Sequence, residues 1–199
     1  MKLPNKLTIL RLILSVIIII ILIFPFDTMG LSLPKIFINE ALVVDTKYII
    51  TGFLFAIASL ITLFDRIIAR KYNLITDFSK MFASLTDKIL VNSVLIILCA
   101  YGFIHPIIPV IIIIRDIVVN SIKMLASSKG SVMTNISSGK FKTVLLMIGV
   151  MLTLFYNLPF ELWNLRISDF ILIIACVLSI ISGIQYYNLN KKIIVLEKN

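Results

Sequence analysis

Two aspartates have the type and placement for chemistry. Asp65 and Asp87 flank a short basic segment within the stretch TLFDRIIARKYNLITDFSKMFASLTD (62–87), and long apolar runs lie on either side of it. Ionisable groups at the edge of an apolar span are costly, and by default they mark a site. On a helix, positions three and four apart share a face. Thr62, Asp65 and Ala69 therefore form one stripe, and Ser79, Ala83 and Asp87 form another. The short connection makes these helices antiparallel neighbours and can bring Asp65 and Asp87 together. A second charged pair, Arg115 and Asp116, falls in the middle of a later apolar run. It needs a polar cavity there, either as an anion pocket or as an internal ion pair. Asp87 and the adjacent Lys88 could form a similar internal pair.

The elements that must position these residues are apolar helices. The chain has 199 residues and is 60% hydrophobic, well above the level of an ordinary soluble domain. The apolar residues fall into six blocks of about membrane-crossing length. The expected fold is an all-α integral membrane protein, a single domain over 1–199 with six transmembrane helices. A short interfacial segment from about Pro4 leads into the first span, about Ile9–Pro25. The others are about Tyr48–Ile68, Met81–Gly102, Ile107–Met124, Thr143–Tyr156 and Asp169–Tyr187. Residues 27–47 read as an outer loop, 69–80 as a basic inner loop with Asp77 inside it, and KKIIVLEK as a surface tail. Tyr186 and Tyr187 read as an interfacial anchor. Arg11, near the inner end of the first span, either snorkels to headgroups or faces a polar pocket.

The net charge is +9, and its distribution sets the topology. Most of the basic residues fall at the N-terminus, in 66–80, in 115–142 and in the tail; Lys35, Lys47 and Arg166 fall on the other side. Basic residues gather in cytoplasmic loops, so both termini are expected to be cytoplasmic. So basic a face attracts anionic lipid and phosphate-bearing substrates. Cys99 and Cys176 lie inside apolar blocks and read as small buried hydrophobes. With no Cys/His cluster, a zinc site is excluded. No inverted repeat argues for a transporter, and no nucleic-acid partner is expected.

The spacing from Thr62 to Asp87 resembles the signature of the CDP-alcohol phosphotransferases, D-x-x-D-G-x-x-A-R followed by G-x-x-x-D-x-x-x-D. Asp65, Ala69, Arg70 and Asp87 match it. Thr62 and Ala83 stand where the signature has aspartates, and Arg66 and Ser79 where it has glycines. Several further motifs resemble the bacterial phosphatidylglycerophosphate synthase branch. They are LPNKLTILR (with Asn5 and Arg11), ARK with Asn73, DKILV, IIIRD with Asp116 in place of the usual Glu, and Gly139, Lys140, Lys142 and Thr143.

That resemblance implies a CDP-alcohol phosphotransferase-like bundle, often homodimeric, in the bacterial cytoplasmic membrane. It implies transfer of phosphatidyl from CDP-diacylglycerol to glycerol 3-phosphate or a similar alcohol, releasing CMP. It assigns Asp65 and Asp87 to metal, Mg or Mn, with Asp87 also the candidate base. It assigns Asn5, Ala69 and Arg70 to the nucleotide, and Arg115, Lys140 and Lys142 to the acceptor phosphate. Two carboxylates are expected to support one weakly held ion and not a pair. Arg66 puts a cationic side chain where close approach of backbone and nucleotide calls for glycine. Two readings therefore stand: a transferase with impaired or lost two-metal catalysis, and a non-catalytic lipid- or anion-binding relative acting as a partner or regulator.

Overall fold

A computed structural model describes residues 3–26, 29–30, 33–38, 42–71, 77–128 and 137–195; at 3–6, 38, 42, 63–71, 77–83, 127–128, 137–138 and 192–195 the description is of the backbone alone. Among the described residues there are six long helices: α1 (Leu3–Ile23), α2 (Thr46–Lys71), α3 (Asp77–Ala100), α4 (Ile107–Ser128), α5 (Ser137–Leu154) and α6 (Ile167–Val195). Each follows one of the apolar blocks, and several run past the expected limits. α1 is continuous from Leu3, so the stretch from Pro4 forms its first turns. Asp77, expected in the loop, is the first residue of α3. The tail expected after the last span continues α6 to Val195.

Residues 27–47, expected as a loop, contain an antiparallel hairpin. Strand β1 (Lys35–Ile38) pairs with β2 (Leu42–Asp45), with Lys35 opposite Asp45. The pattern KIFI…LVVD is β-branched and aromatic, which suits strands, but each run is too short to stand out beside its apolar neighbours.

The helices pack in two linked groups. α1 lies against both α2 and α3, and α6 lies against α4 and α5; α2–α5, α3–α4 and α3–α5 contacts join the two groups. The core is aliphatic and continuous, built around Ile18, Leu22, Phe55, Leu90, Leu95, Ile112, Leu154 and Leu172. Outward faces are also apolar. Ile13, Ile20, Val110, Ile114, Ile117, Phe170, Ile173 and Val177 are all exposed. The Ile167–Lys191 part of α6 is long and apolar enough to cross a membrane, while the apolar stretches Leu7–Ile23 and Thr46–Thr62 are shorter.

One end of the bundle is aromatic. Tyr48 at the start of α2 meets Tyr101, Phe103 and Tyr156 edge to face, with centroids 6.1, 5.0 and 5.7 Å away. The Lys47 ammonium lies 4.9 Å from the ring centroids of both Tyr48 and Tyr101. The turns at this end have local causes. After α3, Gly102 adopts φ +78°, its N–H donates to Cys99 O (3.0 Å), and the Phe103 N–H donates to Leu98 O (2.9 Å). This is the paired hydrogen-bond cap for which glycine is favoured. After α5, Tyr156 takes the same role at φ 56°. Its N–H bonds Thr153 O, and the next N–H bonds Leu152 O (3.0 and 2.7 Å). A tyrosine in this conformation is strained, and its ring packing and the Asp45 N–H donated to its hydroxyl (3.3 Å) hold it there.

α5 and α6 approach closely because Gly149 has no side chain. A Cβ built there would lie 2.7 Å from Leu172 Cδ2, and Leu172 is fully buried. Gly149→Val is therefore expected to destabilise the bundle by about 1–3 kcal/mol. Thermal unfolding of the purified chain in detergent micelles checks this; the midpoint should fall by about 2–4 °C per kcal/mol lost.

Candidate functional site

The opposite end of the bundle is polar. Thr62, late in α2, and Asp87, early in α3, meet there: the Thr62 hydroxyl lies 3.0 Å from Asp87 Oδ1 and is buried with it. α1 supplies the third member. Arg11 Nη1 donates to Thr62 Oγ1 at 2.9 Å and to Asp87 Oδ1 in a close ion pair. Arg11 is 1% exposed, so it faces the pocket and does not snorkel. Ser15, one turn on, donates to the Arg11 carbonyl at 2.7 Å. Asp87 therefore pairs with Arg11, and the weighed alternative of an Asp87–Lys88 pair does not form. Lys88 instead turns the other way, and its Nζ donates to Asn120 on α4.

Lys88 links this trio to a second cluster. Asp116 Oδ1 accepts from Arg115 Nη1 and from Lys142 Nζ, both at 2.8 Å. Arg115 Nη2 donates to Ser182 on α6 at 2.7 Å, while its Nε is buried with no hydrogen-bond partner among the described residues. Two glycines leave room for this arginine. A Cβ at Gly183 would lie 3.2 Å from Arg115 Cγ, and one at Gly139 would lie 3.4 Å from Nη2. Tyr186 forms the floor, with Arg115 and Lys123 at 5.7 and 5.3 Å from its ring centroid. Tyr186 is 5% exposed. It is not the interfacial anchor expected of the Tyr186–Tyr187 pair; only Tyr187 is exposed.

Of the residues expected to bind acceptor phosphate, Arg115 and Lys142 converge on Asp116, whereas Lys140 is exposed. The helical backbone carries Asn5 in α1, Asp65, Arg66, Ala69 and Arg70 in α2, and Ser79 and Ala83 in α3. Their side chains lie outside the described residues. Asn120, Ser182 and Tyr186 are the polar-end residues that sequence reasoning missed as parts of a site; for Arg11 the polar-pocket alternative is the one the structure shows. Adjacent charges at 115 and 116 in an apolar run announced that partners must exist, but they did not name Ser182 or Tyr186.

The donor set can be tested against a pair of divalent ions. Such ions take several oxygen ligands each, mostly carboxylates. The described side chains here supply one carboxylate, Asp87, whose Oδ1 already accepts from a guanidinium and a hydroxyl. The described side chains alone do not make up a two-ion centre; the side chain of Asp65, the other carboxylate assigned to metal, lies outside the described residues.

Comparison with known proteins gives the frame. The model of the CDP-alcohol phosphatidyltransferase family matches residues 1–181. The chain belongs to the CDP-alcohol phosphatidyltransferase family. It is 35% identical over 189 residues to the CDP-diacylglycerol–glycerol-3-phosphate 3-phosphatidyltransferase of Bacillus subtilis, covering 95% of each chain. A protein of the same name from Rickettsia felis is 35% identical over 193 residues, 96% of each chain. One from Mycoplasma pneumoniae is 32% identical over 154 residues, 77% of this chain and 68% of that one. The family resemblance read from the 62–87 spacing is thus shown over nearly the whole chain.

Asp116, itself buried, holds one buried cation, Lys142, and one part-buried cation, Arg115. Removing one partner of a buried ion pair leaves the other uncompensated, at a cost of about 3–5 kcal/mol. Asp116→Asn should therefore lower the thermal midpoint markedly. Lys140→Ala, at an exposed position, should change stability by about 0.5 kcal/mol or less. Parallel unfolding curves of the two variants check both.

Proposed function

We propose that this chain is a phosphatidylglycerophosphate-synthase-like membrane protein of phospholipid biosynthesis, with impaired or lost two-metal catalysis. Its substrates on this reading are CDP-diacylglycerol and glycerol 3-phosphate or a similar polar alcohol. Family membership and the names of its relatives support the substrate class. The observation that carries the catalytic part is the Thr62–Asp87 contact. At position 62 the resemblance calls for a carboxylate, and a hydroxyl occupies it. Hard divalent ions bind a neutral hydroxyl far less well than a carboxylate. The lone pairs of Asp87 Oδ1 are engaged by Arg11 and Thr62, which compete with any metal and with any alcohol proton that Asp87 would accept.

The same proposal places six helices across the bacterial cytoplasmic membrane, as a homodimer, with both termini cytoplasmic. The apolar outward faces and the uneven distribution of basic residues support the membrane placement and the orientation, while the homodimer rests on the family resemblance alone. The polar end then meets the cytoplasm and the headgroups of the inner leaflet. A second reading, a non-catalytic lipid- or anion-binding partner or regulator, draws support from the other cluster. Arg115, Lys142 and Lys88 outnumber Asp116, and the buried Nε of Arg115 still has a proton to give. That excess of donors favours a phosphate group whether or not chemistry follows.

The test is CMP release by the purified chain supplied with CDP-diacylglycerol, glycerol 3-phosphate and Mn2+. Wild type is expected to release little. The triple variant T62D, R66G, A83D should release CMP at least about 100-fold faster, equivalent to about 2.7 kcal/mol of barrier. Robust wild-type release, abolished by Asp87→Asn, would sink the impaired-catalysis reading.

A further inference from the structure

We propose that Ser182 and Gly183 of α6 are positioning residues for Arg115. Gly183 clears the path of its side chain, Ser182 fixes the plane of its guanidinium, and α6 thereby sets the angle at which Arg115 meets the phosphate of an acceptor alcohol. This role rests on the reading above of Arg115 as a ligand of that phosphate, and its test separates the two.

Arg115 leaves α4 and crosses to α6. A Cβ at Gly183 would lie 3.2 Å from Arg115 Cγ, inside the roughly 3.5–4.0 Å at which carbons pack best. Glycine within a helix costs about 1 kcal/mol relative to alanine, and at 183 it opens the way for the arginine stem. One residue earlier, the same helix takes hold of the head. Ser182 is fully buried. Its hydroxyl donates to Ser179 O at 3.0 Å. A hydroxyl has one proton, so Ser182 Oγ meets Arg115 as an acceptor, and Arg115 Nη2 donates to it at 2.7 Å. Tyr186, one turn on along the same face, lies against the guanidinium with its ring centroid 5.7 Å away.

A guanidinium is a rigid plane. Asp116 holds Nη1 at 2.8 Å and Ser182 holds Nη2 at 2.7 Å, and two fixed corners set that plane. Asp116 belongs to the arginine's own helix, whereas Ser182 stands 67 positions away in the chain. Of these two acceptors, only Ser182 ties the head to a neighbouring helix. The remaining N–H groups of the guanidinium point where the fixed plane sends them. A binding group locked by such supporting bonds gives up less freedom when its ligand arrives.

The test is calorimetric titration of glycerol 3-phosphate into the full chain in detergent micelles, together with nitrogen NMR of its arginine side chains. A guanidinium held at both Nη atoms gives separate Nη signals, and a rotating one gives an average. The Arg115 signals are assigned by their disappearance in R115K. Wild type should bind glycerol 3-phosphate and show separate Arg115 signals. S182A should weaken binding about tenfold, the worth of one hydrogen bond to a charged group, and merge the signals. G183A, which keeps the hydroxyl and crowds the stem, should weaken binding in the same direction; it carries the test even where S182A does not fold. G149A disturbs the α5–α6 contact at Leu172, away from Arg115, and should leave the affinity unchanged. Wild type that binds no glycerol 3-phosphate would remove the acceptor reading and this role with it. Undiminished binding by S182A and G183A, separate Arg115 signals in S182A, or an equal loss of affinity in G149A would each overturn this role and leave the acceptor reading standing.

Discussion

Charges buried among apolar helices persist only beside opposite charges or strong hydrogen-bond partners, and the polar end of this bundle is arranged around that requirement. Asp116 accepts from Arg115 and Lys142, which joins α4 to α5, and Arg115 reaches on to Ser182 of α6. Asp87 accepts from Arg11 and lies against Thr62, which joins α1, α2 and α3. Lys88, beside Asp87 in the chain, reaches Asn120 and ties the two groups together. Every long helix is thereby held at this end by polar contacts whose loss would strand a charge. The small residues follow from the same need. Gly139 and Gly183 are short of side chain where Arg115 must pass.

The other end is held differently. Tyr48, Tyr101, Phe103 and Tyr156 pack edge to face around the turns, and the hairpin β1–β2 docks through the Asp45 N–H. Ring geometry and turn conformation do there what ion pairs do at the polar end. The division leaves most of the described buried charge at one end of the bundle, while the other end is closed mainly by rings, with the Lys47 ammonium over two of them. The aliphatic core between the ends is continuous.

Within the CDP-alcohol phosphatidyltransferase family, a position such as 62 gains its meaning from what it faces. As a threonine it is a neutral bridge between a guanidinium and a carboxylate. The cluster around Asp116 is built on a different principle. Its cations exceed its single carboxylate, and the surplus is carried by cation–π contact with Tyr186 and by hydrogen bonds to Ser182 and Asn120. One half of the described polar end thus pairs a guanidinium with a carboxylate beside a hydroxyl, and the other gathers several cations around one carboxylate.

The sequence by itself determined the family, the helical blocks, and the faces on which Thr62 and Asp87 stand, because spacing in a regular helix dictates direction. It also showed that Arg115 and Asp116 required polar company. It did not reveal the partners. A lone arginine near the end of an apolar run reads equally as a snorkelling side chain or a buried one, and Tyr186 beside Tyr187 reads as an anchor. The hairpin at 35–45 was hidden because four-residue strands carry too few alternations to be told from a loop. Helical periodicity states which way a side chain leaves its own axis. Which neighbouring helix it meets depends on how six axes pack. Only that packing turned Arg11 from a charge at the margin into the cation of Asp87, since in an apolar interior its side chain must be paired and the paired carboxylate belongs to a helix distant in sequence.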